Sequence, residues 1–520
     1  MMKRFPWHTV LISIYTVLFM YAENLGQVES EDLWMPLGLV LLIGCAAYAV
    51  SYLILRTPTK AAIAATIMVL LFFSYGHYHD LFFLPNKEVL NSRFKYDFYI
   101  WTSLILCGLM LIGLFRTKSD LSKPNNLLNF MALLLIAMPL YTIIADSFFT
   151  KHQTIEFNTE VSTETLQLEN RPSIYYLIMD AYGRNDILKE YYDYDNSDFT
   201  DALTEIGFYV ADKSFANYNK TILSLPSSLN MMYLDSLSAE MGVDSKNESP
   251  LKMLIDENRV VKELRRFDYS VATFDAQFLH YLFMDSTDTI FNTTDAGLNL
   301  FQVELFNQSI MRAFEKGAAT ADKLNKYDLH RKTILNAFDK ITEVSTFDQP
   351  FYVHGHILSP HQPFVFNEKG ESVTPKHNYS LWKPIEEGRD PGEYRKEYIA
   401  QLRFINSKLI ETVKSILKNS KTPPIIIIQG DHGPCAELTS TTTIEGNNFK
   451  ERMPILNAYY FPNQVYDGLY PGISPVNSFR QILTQYFGLD YPLLPDSSYY
   501  STWTHQYDFV NVTDSITQFP

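Results

Sequence analysis

Five apolar stretches crowd the first 150 residues, at roughly 8–22, 34–55, 61–84, 98–115 and 127–149. In hydrocarbon a backbone has to satisfy its own polar groups, so runs of about 20 apolar residues are read as membrane-crossing helices. Several runs reach that length, and the first, of about 15 residues, is marginal. Trp7, Trp34 and Trp101 sit at or near run ends, as interfacial anchors do. Lys3 and Arg4 precede the first run as they would in a signal peptide. No small-x-small cleavage site follows Met20-Tyr21-Ala22-Glu23, so the expectation is a retained helix. Lys3, Arg4, Arg56, Lys60, Arg116, Lys118 and Lys123 fall on one side of five crossings, and Lys87, Arg93 and Lys95 on the other. That bias places the N-terminus in the cytoplasm and everything after about residue 150 outside, in a multi-pass protein of the inner or plasma membrane. His77, His79 and Asp80, near the outer end of the third run, read as snorkelling interfacial residues.

The expected organisation is a transmembrane domain over 1–150, a Thr/Glu-rich linker over 151–171 and a globular domain over 172–520. Of the chain's 43 Lys and Arg and 58 Asp and Glu, 33 and 49 lie after residue 150, so the acidic excess behind the formal charge of −15 sits wholly there. An acidic globular half excludes a nucleic-acid partner, which needs a clustered basic surface. A phosphate-containing substrate stays open, because one metal ion inverts the local charge. Cys45 and Cys107 lie in apolar runs and leave Cys435 alone, so no disulfide framework forms in the globular half.

Short apolar runs recur at 174–179, 269–274, 351–356 and 424–429, each bounded by polar residues, the mark of strands buried on both faces. Helical patterns intervene, up to about residue 206, at 330–344 and at 394–417; the last puts Tyr398, Leu402, Ile405, Leu409 and Val413 on one stripe. Strands alternating with helices give an α/β class with a mostly parallel sheet, whose chemistry gathers beyond the strands' carboxyl ends. Asp180 and, after Gln429-Gly430, Asp431 end two of those strands; His354, His356 and His361 follow within a third.

Taken singly, each piece has a plainer reading. A strand-end Asp is more often a turn residue, and a hydroxyl at a helix start, as Thr221 is, more often a cap. Lys220 and Arg184 read as solvated or locally paired charges, Lys220 with a second reading as a phosphate ligand, and Cys435 as a buried small apolar residue. Together, Asp180, Asp431 and His432 offer two hard oxygens and an imidazole to a divalent ion, with the Thr221 oxygen completing the set. Such an ion would activate the Thr221 hydroxyl, a poor nucleophile otherwise. His361, with His356 as second candidate, would hydrogen-bond phosphoryl oxygens or protonate a leaving group.

The order of these pieces resembles the alkaline phosphatase/sulfatase superfamily, and within it the membrane-anchored lipoteichoic acid synthases and lipid A phosphoethanolamine transferases. Thr221-Ile-Leu-Ser224-Leu-Pro226 looks like the transferases' Thr-Ala-x-Ser-x-Pro nucleophile segment, and His356-x4-His361 is similar to their paired histidines. The Cys/Ser-x-Pro-x-Arg signature of sulfatases is absent, and the first acid is Asp180 where those transferases commonly have Glu. The resemblance implies five N-terminal helices followed by an alkaline-phosphatase-like domain with one Mn²⁺ or Zn²⁺. It further implies transfer of a phosphoethanolamine- or phosphoglycerol-type headgroup from a membrane lipid to an envelope glycan or glycolipid through a covalent threonine intermediate. Two readings stand beside it: a membrane-tethered phosphate or sulfate ester hydrolase, and an inactive sensor or structural protein that keeps the fold.

Overall fold

The structure is a computed structural model that describes residues 5–25, 28, 30–78, 92–152, 171–274, 284, 287–291, 300–312, 326–347, 350–374, 379, 381 and 390–517. His79, Asp80, Lys87 and linker residues 153–170 lie outside the described residues. The chain forms two compact units, Met1–Thr154 with Ala296–Lys326, and Ile155–Asp295 with Tyr327–Pro520.

In the first unit the apolar runs become helices α1 (His8–Glu23), α2 (Trp34–Leu55), α3 (Pro58–Phe73), α4 (Ser92–Arg116) and α5 (Ser122–His152). Three of them, over Trp34–Leu55, Phe98–Arg116 and Ser122–Ala145, are long and apolar enough to cross a membrane; α1 and α3, of 16 residues each, are shorter apolar helices. Side-chain hydrogen bonds join α1 to α3 and α5. His8 Nδ1 lies 2.6 Å from Thr66 Oγ1 and its Nε2 3.3 Å from Asn125 Oδ1, and Thr9 Oγ1 donates to the Ala62 carbonyl at 3.0 Å. In an apolar bundle such bonds favour one packing over its neighbours, because an unmet polar group finds no water.

The second unit is built on a seven-stranded sheet: β1 (Ile174–Met179), β2 (Tyr209–Val210), β3 (Ser270–Phe274), β4 (Thr289–Phe291), β5 (Phe351–Ile357), β6 (Ile425–Gly430) and β7 (Asn457–Tyr460), in the order β2-β7-β6-β1-β5-β3-β4. The strands from β6 to β4 pair parallel, while β7 runs antiparallel to both β6 and β2, so the sheet is mixed. Beyond it, β8 (Tyr499–Tyr500) and β9 (Val510–Asn511) make a small ribbon. Both faces of the central strands are covered, which is why β1 and β6 read as unbroken apolar runs. Helices α6 (Asn185–Tyr192), α7 (Ser197–Ile206), α8 (Thr221–Asn230), α9 (Lys326–Val344), α10 (Pro391–Asn419) and α11 (Pro475–Phe487) surround the sheet. The single helical stretch expected up to residue 206 is two helices, because Asp193 takes a left-handed conformation at φ 50° and ends α6. The stripe of α10 is buried as its spacing predicts, from Tyr398 to Val413. Met179 lies level with Ile357 of β5 and with Gly430 of β6. Three strands therefore end at one height, and the segments leaving them meet there.

Candidate metal and nucleophile site

Asp180 leaves β1 and Asp431 leaves β6, both buried. Gly430 and Gly433 flank the second acid because backbone passes against them. A Cβ on Gly430 would lie 2.5 Å from the Tyr182 carbonyl oxygen, and one on Gly433 2.4 Å from that of Glu451. The tight turn between them aims Asp431 and His432 back at Asp180. Across the gap, Ala181 holds a left-handed φ of 61°, a conformation that costs a non-glycine residue of order 1 kcal/mol or more. Its N–H donates to Asp431 Oδ1 at 3.0 Å, and the His432 N–H donates to the same oxygen at 2.9 Å. Tyr398 fixes this loop, donating its hydroxyl to the Ala181 carbonyl (2.8 Å) and accepting the Gly183 N–H (3.2 Å).

One oxygen of Asp431 is thus fully engaged, while Asp431 Oδ2 and Asp180 Oδ1 are buried without any hydrogen-bond partner. His432 Nε2 lies 3.7 Å from Asp180 Oδ1 and 3.4 Å from Asp431 Oδ2. Its other nitrogen, Nδ1, is 3.0 Å from the Gly433 carbonyl, which can only accept, so the neutral ring carries its proton there and presents a lone pair at Nε2. Two orphaned carboxylate oxygens and an imidazole lone pair, all within 4.8 Å of one another, suit a divalent cation, which cancels the cost of burying like charges. Burial and the neighbouring Asp180 carboxylate push the Asp431 carboxyl up. Burial pushes Asp180 up as well, but His361, His356 and His432 around it reverse the balance and hold it below the usual carboxylate range.

Thr221 opens α8, and its Oγ1 lies 3.2 Å from His432 Nε2. Ser224, one turn on, is engaged elsewhere, donating to the Asp431 carbonyl at 2.7 Å. His356 Nε2 is 3.5 Å from Asp180 Oδ2. His361 follows β5 with its backbone N–H on the Asp180 carbonyl at 3.0 Å, its Nδ1 on the Gln362 carbonyl, and its ring centroid 6.2 Å from that of His432. Burial lowers its pKa. All six residues singled out in the sequence for metal binding or chemistry, Asp180, Thr221, His356, His361, Asp431 and His432, therefore meet at one end of the sheet. His354 packs two residues below them against Tyr176, ring centroids 6.1 Å apart.

Lys220 is neither solvated nor ion-paired: it donates to the Thr502 carbonyl at 2.9 Å under the Trp503 ring, and burial brings its pKa down to about 7. Arg184 is locally paired with Asp186 through two bonds of 2.7 and 2.8 Å. Cys435 is buried, 3.4 Å from the Tyr394 hydroxyl.

Two supporting residues escaped the sequence reading. Arg452 donates Nε to the Asn219 carbonyl (2.9 Å) and an Nη to that of Gly433 (2.8 Å), stitching the nucleophile's loop to the metal turn. His330 of α9 holds the Leu358 carbonyl at 3.2 Å, ahead of His361, and burial lowers its pKa to about 3. Only Arg452's place just before an apolar run hinted at its role, and a lone His on an amphipathic helix gave no signal.

No protein-family model matches the chain, and no curated protein matches it. Among solved structures it is similar to the C-terminal periplasmic domain of EcEptC from Escherichia coli in complex with zinc, at 12% identity and a TM-score of 0.42 over 67% of this chain and 94% of that one. It is also similar to the integral membrane protein lipooligosaccharide phosphoethanolamine transferase A (EptA) from Neisseria meningitidis, at 11% identity and a TM-score of 0.36 over 92% and 94%. A third is a protein in the alkaline phosphatase superfamily from Vibrio parahaemolyticus, at 14% identity and a TM-score of 0.34 over 64% and 71%.

Proposed function

We propose that the chain is a metal-dependent phosphoryl-group transferase, anchored in a membrane by five helices with its second unit outside the cytoplasm. The observation that carries the reading is the pair of buried, unpartnered oxygens, Asp180 Oδ1 and Asp431 Oδ2, facing His432 Nε2 with the Thr221 hydroxyl alongside. Asp180, Asp431, His432 and Thr221 would hold one Mn²⁺ or Zn²⁺; the mixed oxygen and imidazole set favours these over Ca²⁺. The bound ion supplies positive charge that depresses the hydroxyl pKa and offsets charge on the phosphoryl oxygens.

Thr221 Oγ1, its proton lost to solvent beforehand, attacks phosphorus, the bond from phosphorus to the lipid oxygen breaks, and His361, starting protonated, gives that oxygen its proton. The headgroup is left as a phosphodiester on Thr221. In the second half-reaction His361 takes the proton of an acceptor hydroxyl, which attacks the same phosphorus and frees Thr221. His356, beside Asp180, donates to a phosphoryl oxygen. The donor is a membrane lipid with a phosphoethanolamine- or phosphoglycerol-type headgroup, and the acceptor an envelope glycan or glycolipid. The test supplies a headgroup-labelled lipid and extracted glycan to the detergent-solubilised protein. Label should enter the glycan; release of free headgroup at one rate with and without glycan would make the protein a hydrolase instead.

A further inference from the structure

We propose that residues 300–309 clasp the membrane bundle and give the catalytic unit a second anchor besides the linker. The chain leaves that unit after Asp295, joins the membrane unit over Ala296–Lys326, and returns at Tyr327. Within this excursion Leu300–Gln308 is helical, with Phe301, Val303 and Leu305 5% exposed or less and Ser309 buried after it. Nine residues in isolation do not hold a helix in water, so packing has to stabilise it.

Phe301 and Leu305 share one apolar cluster with Ile12 and Val17 of α1, Val40 of α2, and Val69 and Phe73 of α3. One turn apart, they present a single face. Partly buried residues around the cluster include Met20, Tyr21, Leu33, Leu37 and Phe72, from the last turns of α1 and α3 and the entry to α2. The fit extends to the backbone just past α3: a Cβ on Gly76 would lie 2.6 Å from Gln308 Cα and 2.9 Å from the Asn307 carbonyl oxygen. Only glycine lets the two segments approach this closely. Glu304, flanking that face, pairs with Lys326 where the excursion ends.

The excursion starts and finishes in the second unit. Two chain passages in place of one restrict how far the site can wander from the bilayer, which serves an enzyme whose donor is a lipid; this functional corollary rests on the proposed function, whereas the clasp itself does not.

The experiment is built to separate the two. A protease site is placed in the linker at Asn158 of the full-length protein, membranes are isolated, the linker is cut, and the membranes are washed with high salt. The released half, residues 159–520, should stay with the pellet because its clasp remains buried in the bundle. In Phe301→Asp/Leu305→Asp the same fragment should move to the supernatant, and Gly76→Leu should release most of it. A wild-type urea unfolding midpoint of the second unit, read by pulse proteolysis before cutting, checks that each variant folds. Release of the wild-type fragment by the wash, or equal retention of the double variant, would overturn the clasp whether or not the lipid reaction is found. With the clasp confirmed, the double variant should turn over a lipid donor at least tenfold more slowly while a soluble chromogenic phosphodiester changes less than twofold.

Discussion

Tyr398→Phe removes one oxygen atom, keeps the ring, and bears on both stability and the site. The hydroxyl donates to the Ala181 carbonyl at 2.8 Å and accepts the Gly183 N–H at 3.2 Å, and both backbone groups are buried. Phe fills the same space, so no cavity term enters, and the cost is that of two main-chain groups left without partners. At about 1–3 kcal/mol for each, the loss is about 2–4 kcal/mol once partial relaxation is allowed. Relaxation has its own consequence. Ala181 holds φ at 61° only while its surroundings enforce it. Freed of Tyr398, the loop can return to negative φ and withdraw the Ala181 N–H from Asp431 Oδ1. The metal site should then weaken along with the fold. Pulse proteolysis of the purified full-length protein across a urea series gives the free-energy change of the second unit, and elemental analysis after dialysis against a metal buffer gives occupancy. A loss of at least 2 kcal/mol with reduced occupancy is expected. A loss under about 0.5 kcal/mol with unchanged occupancy would refute the claim that this hydroxyl holds the strained loop.

Gly433→Ala should cost activity far more than a surface Gly→Ala change, because its Cβ meets main-chain oxygens of Glu451 and Arg452 at 2.4 and 2.9 Å; turnover near wild type would show that the Asp431-His432 turn can move freely. Thr221→Ala should abolish turnover without lowering the unfolding midpoint much. Ser224→Ala, which leaves the Asp431 carbonyl unpaired, should cost about 1–3 kcal/mol of stability and much less of the rate; the reverse pattern would move the nucleophile one helical turn. His330 is held neutral, its pKa lowered from 6.5 to about 3 chiefly by burial. The unfolded chain therefore binds a proton that the folded one refuses, and stability present above pH 6.5 is lost as pH falls toward 3, by about 1.4 kcal/mol per pH unit. His330→Gln should flatten the pH dependence of stability between pH 6 and 4 by that slope, and an unchanged slope would mean that the buried ring is charged.

Patterns of composition made the sheet's centre readable. β1, β5 and β6 are buried on both faces, which favours apolar residues along most of their length, so Ile425 to Ile428 mark themselves. Asp180, Asp431 and the histidines stand out because strand ends have no other use for so many charged groups. The features that stayed hidden have no local signature. The strand β7, Asn-Ala-Tyr-Tyr, is four residues, too short to show a period, and its antiparallel direction depends on where the chain turns back. Arg452 and Tyr398 act by reaching main-chain carbonyls, and a carbonyl looks the same in every residue. The helix Leu300–Gln308 carries the periodicity of any crossover helix; only its packing partners reveal that it belongs with the membrane bundle. The site's acids and histidines were legible, whereas the hydrogen bonds that aim them were not.

The proposed chemistry turns on a covalent bond to one oxygen atom, and intact-protein and peptide mass spectrometry after mixing with a headgroup-bearing lipid reads it directly. With the acceptor withheld, the Thr221 peptide should gain the mass of the phospho-headgroup, added acceptor glycan should remove it, and Thr221→Ala should never acquire it. An adduct on Ser224 or another residue would contradict a threonine nucleophile, as would steady release of headgroup by a protein whose Thr221 stays unmodified at every time sampled.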